Sequence, residues 1–327
     1  MAYCRRLATR LWLTLCTTRC LRIGMVLLLI GLATAYYNLY FLLTNNHLED
    51  PAFVGLDKCP ACYGRGLCSD FGHGQLTLAA YSRMRLLDAV NVKNVFYGWH
   101  AGKRRDVVLK RLAHDDELAA FDAKLCRDAG VAEGCDVARQ IYFTKFAPVL
   151  TKQSLDAAHV QGLSDLVSCP SERLLERIVT KYKERLEADV LTEEHKMMLM
   201  TMLSVNPEPI MYMIFPYSEG WPFPQYHGAC GRMIVQDYAG KNLKSYFQAS
   251  WSQRVDLAYQ VMKIAEQLTN NDLEYALYMT DVSFDNFAVN AEGKVLAIDA
   301  ENIIVVDKRN NQNRCQAVLE SATPVFP

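Results

Sequence analysis

Three oxygen-bearing side chains near the end of the chain are spaced for phosphoryl transfer. Asp281 is followed five residues later by Asn286, and two short strand-like runs then lead to Asp299. The turn at 290–293 would join these runs as a β-hairpin, because its glycine supplies the positive φ that such turns need. The hairpin should bring the three side chains together. There Asp281 would accept the proton of a substrate hydroxyl, while Asn286 and Asp299 would hold a metal ion.

A lysine and a helix carboxylate would complete such a site. Lys110 ends a strand-like apolar run at 107–109 and is expected to hold the phosphates of a nucleotide. Glu117 lies in a helix that the apolar spacing predicts at 115–127, and we expect its carboxylate to orient the lysine. ATP with Mg²⁺ or Mn²⁺ is the cofactor that these groups suit.

The stretch at 236–240 has the character of a hinge between two lobes, and its Asp237 and Tyr238 are expected to bind the nucleotide. Each residue also has a simpler interpretation. A strand-end lysine is often an edge residue, a first-turn glutamate is favoured by the helix dipole, and an Asp–Asn pair often caps a turn. The combination of all these residues in one order favours phosphoryl transfer.

The elements that must position these residues follow from periodicity. The order of predicted elements suits an α+β domain with two lobes. The predicted strands lie at 91–99, 107–109, 210–215, 233–235, 287–290 and 295–298, and the predicted helices at 115–127, at 171–186, at 252–268 and in a segment that Thr192 caps.

The chain resembles the divergent protein kinase domain 2 family, the deleted-in-autism group of secretory-pathway kinase-like proteins. The resemblance extends from about residue 56 to 309. It implies a kinase-like fold, a Golgi or secreted location, and an extracellular role in cell growth and survival. The segments that carry it are 57–62 (DKCPAC), 107–112 (VVLKRL), 219–223 (EGWPF), 228–232 (GACGR), 265–272 (AEQLTNND) and 281–289 (DVSFDNFAV).

The sequence departs from most protein kinases around the site. Met279 and Thr280 precede Asp281 where His-Arg is usual, and Ser283 replaces a lysine that steadies the γ-phosphate. Ala300 and Glu301 follow Asp299 where Phe-Gly is usual, and no convincing glycine-rich loop precedes the lysine. A catalytically inactive pseudokinase that acts as a secreted ligand or binding module therefore stays as an alternative function.

The first 44 residues predict a signal peptide or a signal anchor. Five arginines precede an uncharged apolar run at 23–43, which is long enough to cross a bilayer. Ala33-Thr34-Ala35 is also a cleavage-site pattern, so anchor and cleaved signal both stay open. Both place the body in the secretory lumen, with membrane contact only if the segment is uncleaved.

Eight cysteines follow the targeting region, and an oxidising lumen would pair them. Their spacing leaves the connectivity open. Cys59 and Cys62 also fit a thiol oxidoreductase, but no strand precedes them to expose a reactive thiol, so a structural role is favoured. His227 and Cys230 have zinc-ligand spacing without the second pair that a zinc site needs.

The expected organisation is a targeting segment at 1–44, a stem and Cys-rich segment at 45–90, an N-lobe with a helical insertion at 91–235, a partial C-lobe at 236–309 and a divergent tail at 310–327. The tail does not match the cysteine-containing helical segment of the family, as in a splice variant or a gene-model artefact. We therefore expect this chain to be less stable than a longer relative, or inactive.

The expected partners are a nucleotide and a lumenal protein substrate or cell-surface receptor. The net charge of −1 gives no reason to expect nucleic acid.

Overall fold

The computed structural model describes residues 22–40, 46–83, 94–152 and 155–309. Its first helix, α1 (Arg22–Tyr40), has 19 residues and is long and apolar enough to cross a membrane. A signal sequence near an N-terminus has the same properties, so this helix fits both an anchor and a cleaved signal. The predicted tail at 310–327, with Cys315, lies outside the described residues.

Helices and antiparallel strands occur in separate runs along the body of the chain, which confirms the predicted α+β class. The helices after α1 are α2 (Pro51–Val54), α3 (Cys68–Gly72), α4 (Asp115–Asp128), α5 (Val137–Gln140), α6 (Ala147–Leu150), α7 (Ala157–Val160), α8 (Glu172–Leu186), α9 (Glu193–Val205), α10 (Glu208–Ile214) and α11 (Trp251–Thr269). The strands are β1 (Leu76–Leu78), β2 (Val95–His100), β3 (Arg105–Lys110), β4 (Tyr226–Cys230), β5 (Met233–Asp237), β6 (Lys241–Asn242), β7 (Tyr275–Met279), β8 (Phe287–Val289), β9 (Val295–Ala297) and β10 (Ile303–Asp307).

The strands form three antiparallel sheets. The first has five strands in the order β1-β2-β3-β5-β4, the second has the order β6-β8-β9, and the third pairs β10 with β7. The predicted hairpin is confirmed, since β8 and β9 pair with Phe287 opposite Ala297. Gly293 in its turn has φ +79°, which glycine adopts without steric cost.

Helices α4 to α10 lie between β3 and β4. The predicted helix starts are confirmed where a hydroxyl caps them: Ser171 accepts a hydrogen bond from the backbone N–H of Leu174, and Thr192 accepts one from His195. Helix α8, which periodicity predicts at 171–186, buries the apolar residues of one face in the larger core. This part of the chain therefore follows its local sequence pattern closely.

The predicted strand at 210–215 was wrong, because the segment forms helix α10 (Glu208–Ile214). Every residue of this helix is buried, and a short run that is apolar on all sides does not distinguish a strand from a buried helix. Pro209 in the first turn and the Asn206 side chain, which accepts a hydrogen bond from the Glu208 N–H at 2.9 Å, start the helix.

A smaller core lies under the five-stranded sheet. It includes Leu48 and Val54, which belong to the predicted stem and are 1% and 2% exposed. The described part of that stem is therefore packed against the sheet.

Helix α11 has an exposed apolar face, on which Trp251, Tyr259 and Met262 are each more than half exposed.

Three disulfides cross-link the described residues: Cys59–Cys62, Cys68–Cys230 and Cys126–Cys135. The first and third close short loops. The second joins the Cys-rich segment to β4 across 162 residues of sequence. Pairing was predicted from the sequence, but the connectivity depends on the fold.

Candidate functional site

Lys110 lies where the five-stranded sheet meets the rest of the domain. Its side chain is 13% exposed, and its Nζ donates to Glu208 Oε1 at 2.8 Å and to the Ile298 carbonyl oxygen at 2.7 Å. Ile298 immediately precedes Asp299. The lysine therefore connects β3 both to the start of α10 and to the segment that carries a predicted metal ligand.

The carboxylate beside Lys110 belongs to Glu208, so the prediction that Glu117 orients the lysine was wrong. Glu117 is the third residue of α4, and its Oε2 accepts a hydrogen bond from the His114 backbone N–H at 2.7 Å. A first-turn glutamate that reaches back to the helix start caps the helix. Nothing in the local pattern near Lys110 indicates a partner 98 residues away.

Glu208 is 1% exposed. Its surroundings favour the protonated form of the carboxyl more than water does around an exposed glutamate. Burial raises its pKa to about 7, against the attraction of Lys110, and the nearby Asp299 and Glu301 add to the rise. This carboxyl therefore keeps its proton to a higher pH than an ordinary glutamate does.

The Asn206 side chain connects two parts of the site by hydrogen bonds. Its Oδ1 accepts the Glu208 N–H, and its Nδ2 donates to the Leu112 carbonyl at 2.9 Å and to the carboxylate of Glu301. Glu301 stands where most kinases have the glycine after a metal-binding aspartate. Here that position is tied through Asn206 to the start of α10.

The hairpin brings Asp281 and Asn286 together. Asn286 is 3% exposed, and its Nδ2 donates at 3.1 Å both to the Asp281 carbonyl and to Asp281 Oδ2. The Asn286 carbonyl accepts the Ile298 N–H at 2.8 Å, which fixes the other strand. Asp281 itself is exposed, so its carboxylate is accessible to an incoming hydroxyl.

A cleft of about 500 Å³ lies between the five-stranded sheet and this hairpin. Polar groups and an apolar wall share its lining, as in small-molecule sites. Among the residues that line it are Lys110, Asn286 and Asp299, and the apolar Val95, Val108, Ala288 and Ile298.

Of the two hinge residues predicted to bind a nucleotide, only Tyr238 lines the cleft. Successive side chains of a strand point to opposite faces. The carboxylate of Asp237 accordingly faces away and bonds His227 Nε2 and Arg105 Nη1, both at 2.6 Å. Burial alone would raise the pKa of Asp237, but these two partners outweigh it and lower the pKa.

Among the described residues, no group of three His, Cys, Asp or Glu side chains is placed to enclose a metal ion. Mg²⁺ in phosphoryl-transfer sites is commonly held by one or two protein oxygens together with phosphates and water. Asn286 and Asp299 line the same cleft and suit such a partial set.

The comparisons with known proteins point to one family. Residues 200–321 match the protein-kinase domain of FAM69. The chain is 48% identical over 275 residues to divergent protein kinase domain 2A of Homo sapiens, which covers 81% of this chain and 64% of that relative. The chain belongs to the divergent protein kinase domain 2 family.

Other members of the family are similar over the same span. Identity is 47% over 274 residues to divergent protein kinase domain 2A of Xenopus tropicalis, covering 81% of this chain and 64% of the relative. It is 34% over 272 residues to divergent protein kinase domain 2B of Bos taurus, covering 79% and 61%. The matches thus span less than two thirds of the curated relatives.

The FAM69 kinase-domain match includes Glu208, Asp281, Asn286 and Asp299 but begins after Lys110. Lys110 lies outside the matched segment and is brought to the site by the fold. This kinase-like domain therefore places a long helical stretch between the strand that carries its lysine and the helix that carries the partnering carboxylate.

The other sites considered from the sequence do not form. Cys59 and Cys62 are 6% and 0% exposed and bonded to each other, next to Met198. A redox pair needs an accessible thiol. Cys230 forms a disulfide with Cys68, and His227 is hydrogen-bonded to Asp237. Neither side chain is therefore placed as a zinc ligand.

Proposed function

We propose that this protein binds ATP with Mg²⁺ or Mn²⁺ and transfers the γ-phosphate to a hydroxyl group of a protein substrate. One observation carries the proposal: the partly buried Lys110 ammonium, held between Glu208 and the residue before Asp299, lines the same cleft as Asn286. An amine and metal-binding oxygens on one cleft are the groups that phosphoryl transfer needs.

Each group has a role in this proposal. Lys110 binds the α- and β-phosphates, and Glu208 keeps its ammonium aimed into the cleft. Asn286 and Asp299 hold the metal ion, which neutralises phosphate charge when it is bound. Asp281, held at 3.1 Å by Asn286, accepts the proton of the substrate hydroxyl.

The proposed location is the secretory pathway, either in the Golgi lumen or outside the cell. Two features support it. Helix α1 has the length and composition of a signal or an anchor, and disulfides such as Cys68–Cys230 persist in oxidising compartments. The partner there would be a lumenal protein substrate, with the membrane as a further contact if α1 is not removed.

A second candidate is a pseudokinase that acts as a secreted ligand for a cell-surface receptor in growth and survival signalling. The observation that favours it is the hydrogen bond that the Asn206 side chain donates to the Glu301 carboxylate. A glutamate with a fixed partner replaces a flexible glycine beside Asp299, so the loop lacks the hinge with which most kinases reposition their metal-binding aspartate.

Calorimetric titration of the purified chain with MgATP and MnATP tests the proposal. Lys110→Ala is expected to weaken binding at least tenfold, because a buried charge contact to phosphate is lost. Lys263→Ala, which removes an exposed lysine on α11, is the matched control and should bind as the wild type does. Equal affinity in the Lys110 variant would refute the proposal.

Phosphate transfer from labelled ATP then separates the two candidates. Transfer that Asp281→Asn abolishes while binding remains supports the enzyme. Intact binding without transfer to protein substrates by the wild type supports the secreted ligand.

A further inference from the structure

Two phenylalanine side chains are exposed beside the proposed base. Phe284 lies between Asp281 and Asn286, in the segment that leads into the hairpin, and is 59% exposed. Phe247 directly follows the short 3-10 helix at Leu243–Tyr246 and is 47% exposed. The two rings are perpendicular, with their centroids 4.9 Å apart. Each ring therefore packs on the other while about half of its surface stays in contact with water.

Hydrogen bonds fix the position of these rings at the mouth of the cleft. Asn242 donates from Nδ2 to Asp285 Oδ1 at 2.6 Å, and Ser245 donates its hydroxyl to Asn242 Oδ1 at 2.8 Å. All three of these side chains line the cleft. The segment that carries Phe247 is thus joined to the segment that carries Phe284, and both rings lie directly beside the cleft.

A turn sets the distance between Phe284 and the proposed base. The Asn286 N–H donates to the Ser283 carbonyl at 3.1 Å, and the Asn286 side chain holds Asp281. Phe284 is three residues from Asp281, which corresponds to at most about 11 Å of chain. An extended substrate advances about 3.3 Å per residue. A substrate side chain within about three positions of the acceptor hydroxyl therefore reaches the rings.

The surface of the two rings favours an apolar neighbour. Exposed apolar patches with a polar rim mark places where proteins or ligands bind, and aromatic side chains are frequent anchors in protein interfaces. On this rim Lys244 and Asp285 already face each other at 3.7 Å. A charged substrate residue would compete with that contact, whereas an apolar residue covers the rings without displacing any charge.

We propose that the Phe247–Phe284 pair determines substrate specificity: it binds a large apolar side chain, such as leucine or methionine, within about three positions of the acceptor hydroxyl. This rests on the proposed phosphoryl transfer. The substrate class is a protein segment in which a hydroxyl-bearing residue lies close to an apolar one. Contact with the rings removes apolar surface of both partners from water and stabilises the bound substrate.

Phosphate transfer from labelled ATP to two sets of synthetic peptides tests the inference. Each peptide has a central serine, with leucine in one set and asparagine in the other at a single nearby position. The wild type should show a kcat/KM at least about fivefold higher for the best leucine peptide than for its asparagine counterpart. Phe284→Ser should remove this preference through a higher KM and leave the affinity for MgATP unchanged. Phe143→Ser is the matched control, since Phe143 is 70% exposed in the helical insertion, and should keep the preference.

A conservative variant distinguishes substrate contact from a role in the fold. Phe284→Leu keeps an apolar side chain and should retain most of the preference. A purely structural role predicts instead that Phe284→Ser unfolds at a lower temperature and slows transfer to both peptide sets equally, which would overturn the inference. If Phe284→Ser does not fold, Phe247→Ser replaces it, and the leucine-to-asparagine ratio of the wild type needs no variant.

The outcomes distinguish this inference from the proposed function. Transfer that Asp281→Asn abolishes, but that is equally fast to the leucine and asparagine peptides, overturns the role of the Phe247–Phe284 pair alone. Binding of MgATP without transfer to any of the peptides overturns both this inference and the proposed phosphoryl transfer.

Discussion

Replacing Glu208 with glutamine is expected to stabilise the protein at neutral and alkaline pH. The fold raises the pKa of this carboxyl from 4.5 to about 7, mainly through burial. Each pKa unit corresponds to about 1.4 kcal/mol, so ionising Glu208 in the folded protein costs about 3 kcal/mol. Glutamine carries no charge and keeps an oxygen for the Lys110 ammonium.

The sign of the pH dependence follows from proton linkage. Between pH 4.5 and about pH 7 the folded protein retains a proton on Glu208 that the unfolded chain has released. The stability that this proton provides is fully present below that window and is lost as the pH rises through it. The wild type should therefore lose about 3 kcal/mol more than Glu208→Gln between pH 4.5 and pH 8.

Urea unfolding of both proteins at several pH values measures this difference. His100 contributes with the opposite sign, because burial lowers its pKa and stability then falls as the pH decreases. That contribution is common to both proteins and cancels in the comparison. Glu292→Gln, in the exposed hairpin turn, controls for the change of charge and should follow the wild type. Parallel profiles for wild type and Glu208→Gln would refute the reasoning.

Three further changes probe the scaffold of the site. Gly240 has φ +92°, and Gly240→Ala places a Cβ 1.8 Å from a carbonyl oxygen of β8, so it should lower the free energy of unfolding by about 3 kcal/mol or more in thermal unfolding. Gly293 has φ +79° with open space around it, so Gly293→Ala should cost only about 1 kcal/mol. Asn206→Ala removes the hydrogen bonds that connect α10 to Glu301 and should lower stability by about 2 kcal/mol and weaken MgATP binding; an unchanged affinity would remove Asn206 from the site. Replacing both Cys68 and Cys230 by serine opens a loop of 162 residues and should cost about 3–5 kcal/mol in denaturant unfolding, and a loss below 1 kcal/mol would show that this cross-link hardly constrains the unfolded chain.

Most features that were predicted correctly are local. The hairpin, the capped start of α9 at Thr192 and the apolar stripe of α8 each depend on residues within a few turns of one another. Short-range spacing, turn residues and caps are encoded directly in the sequence. The spacing of Asp281 and Asn286 is of this kind, and the structure joins the two side chains at 3.1 Å.

The failures occurred where local pattern is ambiguous or where the partner is distant. The apolar run at 210–215 has no periodicity that separates a strand from a buried helix, and burial on every side makes it α10. Strand alternation turned the Asp237 carboxylate away from the cleft and Gln236 into it. The register of β5 against its neighbours decided this outcome.

By itself, the sequence determined the α+β class, the hairpin and the resemblance to a kinase-like family, because these depend on composition, periodicity and contiguous motifs. Only the tertiary structure decided that Glu208 accompanies Lys110 and that Cys68 forms a disulfide with Cys230. Contacts between residues about a hundred positions apart depend on how every intervening helix packs. Their energy therefore belongs to the assembled core and leaves no signal in any short stretch of the chain.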